Sequence, residues 1–221
     1  LLIQQQVRAT WFITHTSPAI DRLRQYPDLF ELGIHPNFLP GSTHGETVET
    51  VLRHCLSLAP NAKSLRTHAL VQSTPLLKAI MNEGSIVTDV SLLLPHMPHI
   101  RPVKFSVEGL TLLRVPYFWE DSLEMEQEHP VWDVRELEKV GKGLKIINFH
   151  PVHIYLNSSM SSGYCALKLK CTGLTDLTAE MTAECVQQGK GTQTFFRQLL
   201  DHLAKKDSWC IQDLFSNKAG A

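Results

Sequence analysis

The sequence lacks long hydrophobic runs and has no marked excess of charge of either sign. Its longest apolar runs, such as 90–95 and 144–149, are far shorter than the roughly 20 residues that a transmembrane helix needs. With 21 basic and 22 acidic residues the formal charge is -1, so the chain has no electrostatic footprint for nucleic acid or for an anionic membrane. We therefore expect no transmembrane segment and no nucleic-acid partner.

Cysteine is also scarce, and internal repeats are absent. The five cysteines are scattered without C-x-x-C spacing, which does not indicate a disulfide framework. This pattern favours a reducing compartment, and we expect a cytoplasmic location. The chain has no initiator Met, and its first residues are typical of the end of a helix. We therefore expect that the true N-terminus is missing.

The 221 residues, 43% of them hydrophobic, suit a single domain with a sizeable core. Short β-type runs alternate with helical patterns, which predicts an α/β fold with a parallel sheet and helices outside it. The predicted strands are 9–14, 29–34, 64–67, 86–90, 111–115 and 144–149. If a further strand preceded Leu1, a closed or nearly closed (β/α) barrel would be as plausible as an open sheet.

Helix signals lie between the predicted strands. Ser17 is predicted to cap a helix whose first residue is Pro18, and residues 45–59 place apolar side chains at helical spacing. Thr74 with Pro75 opens another predicted helix, which Gly84 ends. The Ser-rich segment 157–191 has no periodicity and predicts an irregular insertion. A C-terminal helix is predicted over 192–206.

Histidines near predicted strand ends are the first candidates for chemistry. His35 follows a strand directly, and His44 comes nine residues later, just before a helix. Two imidazoles in such loops can share a metal ion. The alternative is that His35 is a surface residue and His44 a residue near a helix cap.

Two further candidates follow later strands. Arg66 can hold a carboxylate through two parallel hydrogen bonds, or it can be an ordinary surface arginine. His150 ends the clearest predicted strand, where Pro151 turns the chain, and catalytic groups collect at that end of parallel strands. A structural histidine is the alternative at His150. His153 is expected to hydrogen-bond the backbone rather than to assist His150.

An aromatic segment precedes two carboxylates. Tyr117, Phe118 and Trp119 follow a predicted strand and are succeeded by Glu120 and Asp121. This composition suits a platform for a sugar ring together with an acid. The alternative is a packed aromatic lid with solvated carboxylates, and that alternative carries more weight for Glu120 and Asp121 than for the aromatic residues.

Four segments, in this order and spacing, resemble the polysaccharide deacetylases of the NodB-homology type. They are 9–15, 31–38, 66–68 and 149–157. Within that group the sequence is most similar to the WbmS-like branch, which is found with surface-polysaccharide biosynthesis. The likeness covers roughly residues 1–157 and the final helix.

The resemblance implies a deformed (β/α)7 barrel and one divalent metal, usually zinc, held by an aspartate and two histidines. His35 matches the first metal histidine, and His44 is the candidate for the second, although the usual spacing would place that histidine at Leu39. Arg66 matches the arginine that positions the catalytic aspartate, and His150 matches the general acid. The family's aspartates lie on a first strand that is absent from this chain.

The function that the resemblance implies is hydrolysis of an N-acetyl group on a sugar, a C–N bond that is not a peptide bond. In such an enzyme Tyr117, Trp119 and His68 are the predicted substrate-binding residues. One alternative is a non-catalytic carbohydrate-binding barrel that has lost its aspartates. Another is a phosphoesterase on a similar barrel, which would call for more metal ligands than the sequence offers.

Overall fold

The chain divides into two units in the computed structural model, which describes residues 1–171, 173, 176–204 and 206–214. The first unit comprises Leu1–Leu93, Arg101–Pro116 and the described residues from Lys206 onward. The second comprises Leu94–Ile100 and the described residues of 117–204. Within the described part of the chain, no helix is long and apolar enough to cross a membrane.

A six-stranded sheet forms the centre of the first unit. Its strands are β1 (Ala9–Ile13), β2 (Phe30–Ile34), β3 (Ser64–Leu65), β4 (Thr88–Asp89), β5 (Val103–Val107) and β6 (Leu110–Arg114). They lie in the order β1-β2-β3-β4-β6-β5. Every neighbouring pair is parallel except β5 and β6, which are antiparallel. The predicted mixed α/β fold with a parallel sheet is therefore confirmed.

Strand β5 was missed by the sequence analysis. It joins β6 through a two-residue turn in which Glu108 and Gly109 both have positive φ, 51° and 79°, the geometry of a type I′ hairpin turn. Val103 is exposed, and β5 occupies the edge of the sheet. Three of its five residues are exposed and two are polar, so it forms no apolar run that would have marked it as a strand.

Four helices flank this sheet along the chain: α1 (Leu2–Gln5), α2 (Pro18–Arg24), α3 (Val48–Leu58) and α4 (Thr74–Glu83). The predicted cap at Ser17 is confirmed, because its side chain accepts a hydrogen bond from the Ala19 N–H. Helix α4 begins at Thr74 as predicted and is capped by Ser73, and Gly84 ends it with a φ of 84°. Positive φ favours glycine at this position.

The second unit contains a parallel two-stranded sheet and six helices in its described part. The strands are β7 (Trp119–Glu120) and β8 (Ile147–Asn148). The helices are α5 (Asp121–Met125), α6 (Val134–Lys139), α7 (Pro151–Leu156), α8 (Ser162–Leu169), α9 (Ala179–Ala183) and α10 (Thr192–Leu203). Strand β7 was missed, and β8 is shorter than the predicted strand 144–149.

The segment 157–191 contains α8 and α9, so it is not wholly irregular as predicted. Leu167 of α8 is fully buried in a cluster with Leu156 and Cys185. These helices are short, so their sequences carry too few apolar residues to show a clear 3.6-residue period. Tertiary packing of a few side chains stabilises them.

Asn157 connects three parts of the second unit. It ends α7 in the left-handed conformation, with φ 48° and ψ 43°, which asparagine tolerates better than most residues. Its side-chain Oδ1 accepts hydrogen bonds from the N–H groups of Gln193 and Thr194 at the start of α10, at 3.1 and 3.2 Å. Its Nδ2 donates to the carbonyls of Gln187 and Gly189, each at 3.0 Å.

Replacing Asn157 by Ala should therefore destabilise the protein by roughly 2–4 kcal/mol, because four hydrogen bonds are lost and buried groups are left unpaired. Thermal or urea unfolding measures the change. Asn82→Ala, which alters an exposed residue of α4, is the matched control and should change the free energy of unfolding by less than about 0.5 kcal/mol. Equal stability of the two variants would contradict the connecting role of Asn157.

His153 is buried in the same unit and gives it a pH dependence. Its Nδ1 lies 3.2 Å from the Ser158 hydroxyl, and its ring lies edge-on to Tyr164 at 4.9 Å. Burial lowers the pKa of His153, the positive charges of His150 and Lys168 lower it further, and the negative charge of Asp121 opposes the shift. The folded state therefore favours the neutral ring.

Stability should then fall as the pH decreases below about 6.5, because the unfolded chain takes up a proton at His153 that the folded chain resists. In His153→Gln the loss of unfolding free energy between about pH 7 and pH 5 should be smaller. Urea unfolding across this range measures the effect, with the exposed His129→Gln as control. An unchanged slope in His153→Gln would show that other groups cause the acid sensitivity.

Candidate active site

Polar side chains collect where the parallel strands of the first unit end. His35 follows β2, Arg66 follows β3, Asp89 ends β4 and Arg114 ends β6. Backbone hydrogen bonding between β2 and β3 extends one residue beyond β3, since the Arg66 N–H donates to the Ile34 carbonyl at 3.1 Å. Carboxyl ends of adjacent parallel strands meet along one edge of a sheet, where ligands usually bind. We call this side of the sheet the carboxyl edge.

His35 and His68 are brought together at this edge. Their rings lie edge-on at a centroid distance of 5.5 Å, and the His68 N–H donates to the Pro36 carbonyl at 2.9 Å. His35 is buried, whereas His68 is exposed. The sequence had assigned these residues to different roles, His35 to a metal and His68 to the substrate.

His44 lies in the loop between β2 and α3. Its Nδ1 accepts a hydrogen bond from the Asn37 N–H at 3.2 Å, and its ring stacks on His54 at 4.9 Å. Burial lowers the pKa of His44, the charges of His54, His68 and His15 lower it further, and a hydrogen bond to the Thr14 backbone opposes them. The neutral ring is the form that a metal ligand requires.

The metal prediction can be compared with these donors. In the described part of the chain, no group of three or more His, Cys, Asp or Glu side chains is arranged to hold a metal ion. Imidazoles such as those of His35 and His44 are ligands that zinc accepts. The donor chemistry therefore fits two of the three predicted ligands, and the described residues do not supply a carboxylate beside them.

Arg66 is 7% exposed, which excludes the ordinary surface arginine considered from the sequence. A buried guanidinium requires hydrogen-bonding partners. Its predicted role, positioning a carboxylate, stays a prediction.

A second arginine at the carboxyl edge was not recognised from the sequence. The Nε of Arg114 donates to Asp89 Oδ2 at 2.8 Å, and the Ser91 N–H donates to Asp89 Oδ1 at 2.9 Å. Asp89 is fully buried. The two residues are register partners on the parallel strands β4 and β6, and a correct pairing of these strands would have revealed the contact.

The best-defined constellation lies in the second unit. His150 Nδ1 lies 2.6 Å from Asp121 Oδ1, and the His150 N–H donates to Asp121 Oδ2 at 2.7 Å. The Ser122 N–H also donates to Oδ1, at 2.8 Å. Asp121 is fully buried, whereas the His150 side chain is 38% exposed. The carboxylate therefore orients the ring through Nδ1, and Nε2 is the ring nitrogen that does not contact Asp121.

The prediction of solvated carboxylates at Glu120 and Asp121 was wrong. Asp121 begins α5 directly after β7, and β7 pairs with β8, which His150 follows. Glu120 accepts hydrogen bonds from the hydroxyls of Tyr117 and Ser122. Because no sequence pattern indicated β7, the sequence alone did not place Asp121 beside His150.

The structure also corrects the predicted sugar platform. Tyr117 and Trp119 are 0% and 1% exposed. Trp119 stacks on Phe195 of α10 at 4.6 Å, within a cluster that includes Trp132 and Phe149. Rings packed in this way present no face to a substrate, so the packed aromatic alternative is confirmed.

The chain is similar to known polysaccharide deacetylases. A sequence model described as WbmS-like polysaccharide deacetylase matches residues 1–168. No relative among the curated proteins is significantly similar.

The solved structures that are similar to the chain include a deacetylase and a glucanotransferase. One, from Bordetella bronchiseptica, is described as a polysaccharide deacetylase involved in O-antigen biosynthesis; it is 30% identical, with a TM-score of 0.75, and the match covers 91% of this chain and 81% of that one. The other is the 4-alpha-glucanotransferase of Thermococcus litoralis, which is 11% identical with a TM-score of 0.57. Its match covers 97% of this chain and 33% of that chain, so the likeness concerns the fold alone. By the family model and the first of these structures, the chain belongs to the WbmS-like polysaccharide deacetylases.

Proposed function

We propose that the protein is a metal-dependent hydrolase that removes an N-acetyl group from a sugar in polysaccharide metabolism or biosynthesis. The observation that carries the proposal is the contact between His150 and the buried Asp121. Membership of the deacetylase family supports it, as does the similarity to the B. bronchiseptica protein. The deformed (β/α)7 barrel implied by the resemblance stays a prediction.

His150 is the proposed general acid. An amine is a poor leaving group unless it is protonated, so amide hydrolysis needs a proton donor on the leaving nitrogen. Asp121 accepts the Nδ1–H of His150 and stabilises the charged ring, which leaves Nε2 as the atom that delivers the proton. The ring is partly exposed, so a substrate can reach it.

His35 and His44 are the proposed protein ligands of a divalent metal, most suitably zinc, together with a carboxylate. Such a metal, when bound, polarises the amide carbonyl and lowers the pKa of bound water. The lowered pKa of His44 favours the neutral ring, whose nitrogen lone pair can bind a metal ion. The hydrogen bond from the Asn37 N–H to Nδ1 restrains the ring.

Arg66 is proposed to position a carboxylate at the carboxyl edge, and His68 to contact the substrate. The burial of Arg66 fits a positioning role, because a guanidinium held in place presents a fixed pair of N–H groups to a carboxylate. The exposure of His68 beside His35 fits a contact with substrate near the proposed metal.

Loss of the proton donor should lower turnover strongly. We expect His150→Ala to reduce kcat by roughly 10²–10⁴-fold, while the metal content and the fold are retained. Asp121→Asn should also reduce kcat, because the charged ring loses its stabilising carboxylate. Acetate release from N-acetylated sugars measures both effects.

The double variant His150→Ala with Asp121→Asn tests whether the pair acts as a unit. It should be no slower than His150→Ala alone, since Asp121 acts through His150. Glu126→Gln, an exposed change on the same unit, is the charge control. Additive losses in the double variant would show that Asp121 acts independently of His150.

Metal analysis tests the other half of the proposal. The purified protein should bind about one zinc ion per chain, and His35→Ala and His44→Ala should each lower zinc affinity by at least about tenfold. The exposed His129→Ala is the matched control and should leave zinc unchanged. Chelation should abolish acetate release, and added zinc should restore it.

Stoichiometric zinc at undiminished affinity in His35→Ala would contradict the ligand assignment. A protein that binds N-acetylated sugars but releases no acetate, with or without zinc, would instead be the non-catalytic carbohydrate-binding alternative.

A further inference from the structure

Arg114 is a cation at the carboxyl edge that the proposed mechanism does not use. It ends β6 and is the register partner of Asp89 at the end of β4. The Asp89 side chain is fully buried, but 16% of the Arg114 side chain is exposed. Part of the Arg114 side chain therefore remains accessible to solvent, whereas the Asp89 side chain does not.

The guanidinium is fixed on one side. Its Nε donates to Asp89 Oδ2 at 2.8 Å, and its Nη2 donates to the side-chain oxygen of Gln72. Gln72 is itself fixed, because its Nε2 donates to the Ser91 carbonyl at 3.2 Å. Among the described residues, Nη1 of Arg114 has no hydrogen-bond partner. A rigid guanidinium with one N–H₂ group unused is arranged to bind a further acceptor.

The charges at this edge favour an acidic acceptor. Two cations, Arg66 and Arg114, and one carboxylate, Asp89, end or directly follow the parallel strands of the first unit. Arg101 precedes β5 and is exposed, and β5 begins opposite the end of β6. In the described part of this edge, positive charges therefore exceed negative ones, which attracts anionic ligands.

We propose that Arg114 binds an oxyanion carried by the sugar substrate, and that Asp89 and Gln72 are its positioning residues. This rests on the proposed deacetylase function and adds that the substrate is acidic. The planar guanidinium recognises a carboxylate and a phosphate by the same geometry. The oxyanion is therefore either the carboxylate of a uronic acid or the phosphate of an activated sugar precursor, and matched probes separate these sources.

Calorimetric titration with three probes that differ at one group tests the proposal without turnover. The neutral probe is N-acetylglucosamine, the carboxylate probe is 2-acetamido-2-deoxyglucuronic acid and the phosphate probe is N-acetylglucosamine 1-phosphate. At least one acidic probe should bind about tenfold or more tighter than the neutral probe. The tighter of the two identifies the source of the oxyanion. Equal affinity for all three probes would overturn the proposal.

Two variants assign the preference to Arg114. Arg114→Lys keeps a cation beside Asp89 but loses the planar group of N–H donors. The double variant Arg114→Gln with Asp89→Asn removes both charges, so no buried carboxylate is left unpaired. Both should lose about tenfold in affinity for the acidic probe and little for the neutral one. Arg53→Lys, an exposed change on α3, is the matched control and should leave the preference for the acidic probe unchanged.

Retention of the acid preference in either folded variant would overturn the role of Arg114, and thermal unfolding establishes that each variant is folded. Acetate release from the same probes separates this inference from the proposed function. An acid preference that disappears with Arg114, without acetate release from any probe, would support the binding site and contradict the deacetylase. Acetate release without any acid preference would do the reverse.

Discussion

Parallel pairing of strands is the constraint on which the candidate site of the first unit depends. Because β1, β2, β3, β4 and β6 run in one direction, the residues that follow them meet at one edge although they are far apart in sequence. His35, Arg66 and Arg114 each lie at the end of a different strand. The strands are two to five residues long, and the chain turns directly after most of them. Polar residues are tolerated there, because the apolar core lies behind them.

Two buried carboxylates illustrate how the fold accommodates charge. Asp89 and Asp121 are both fully buried, and an unpaired carboxylate in such a position would be costly. Each accepts a hydrogen bond from a backbone N–H one or two residues later and another from a cationic or protonatable side chain, and Asp121 accepts a third from the His150 N–H. The partners, Arg114 and His150, both retain partial exposure. A buried carboxylate that orients a partly exposed cationic or protonatable side chain is a common arrangement in active sites, because the carboxylate fixes the geometry while its partner meets the ligand.

The histidines of the first unit differ from one another in a way that matters for metal chemistry. Burial and neighbouring imidazoles lower the pKa of His44, so its ring stays neutral where an exposed histidine would begin to take up protons. His68 is exposed and lies edge-on to His35. Among the described residues, no carboxylate joins these imidazoles in a group that could hold a metal ion. Metal binding is therefore a proposal about this site.

The alternation of β1 to β4 with the helices α2 to α4 followed from the sequence by itself, because short β-type runs alternate there with segments of helical spacing. Local chemistry also determined the Ser17 cap and the Gly84 stop, which depend on neighbouring residues alone. Short motifs in a fixed order were sufficient to indicate the deacetylase family and to select His35, His44, Arg66 and His150. Tertiary structure alone decided that Asp121 meets His150 across 29 residues and that Arg114 meets Asp89 across 25. It also decided that Trp119 packs on Phe195 instead of facing solvent. Such contacts depend on strand register and on the position of a distant helix, and neither leaves a periodic signal in the local sequence.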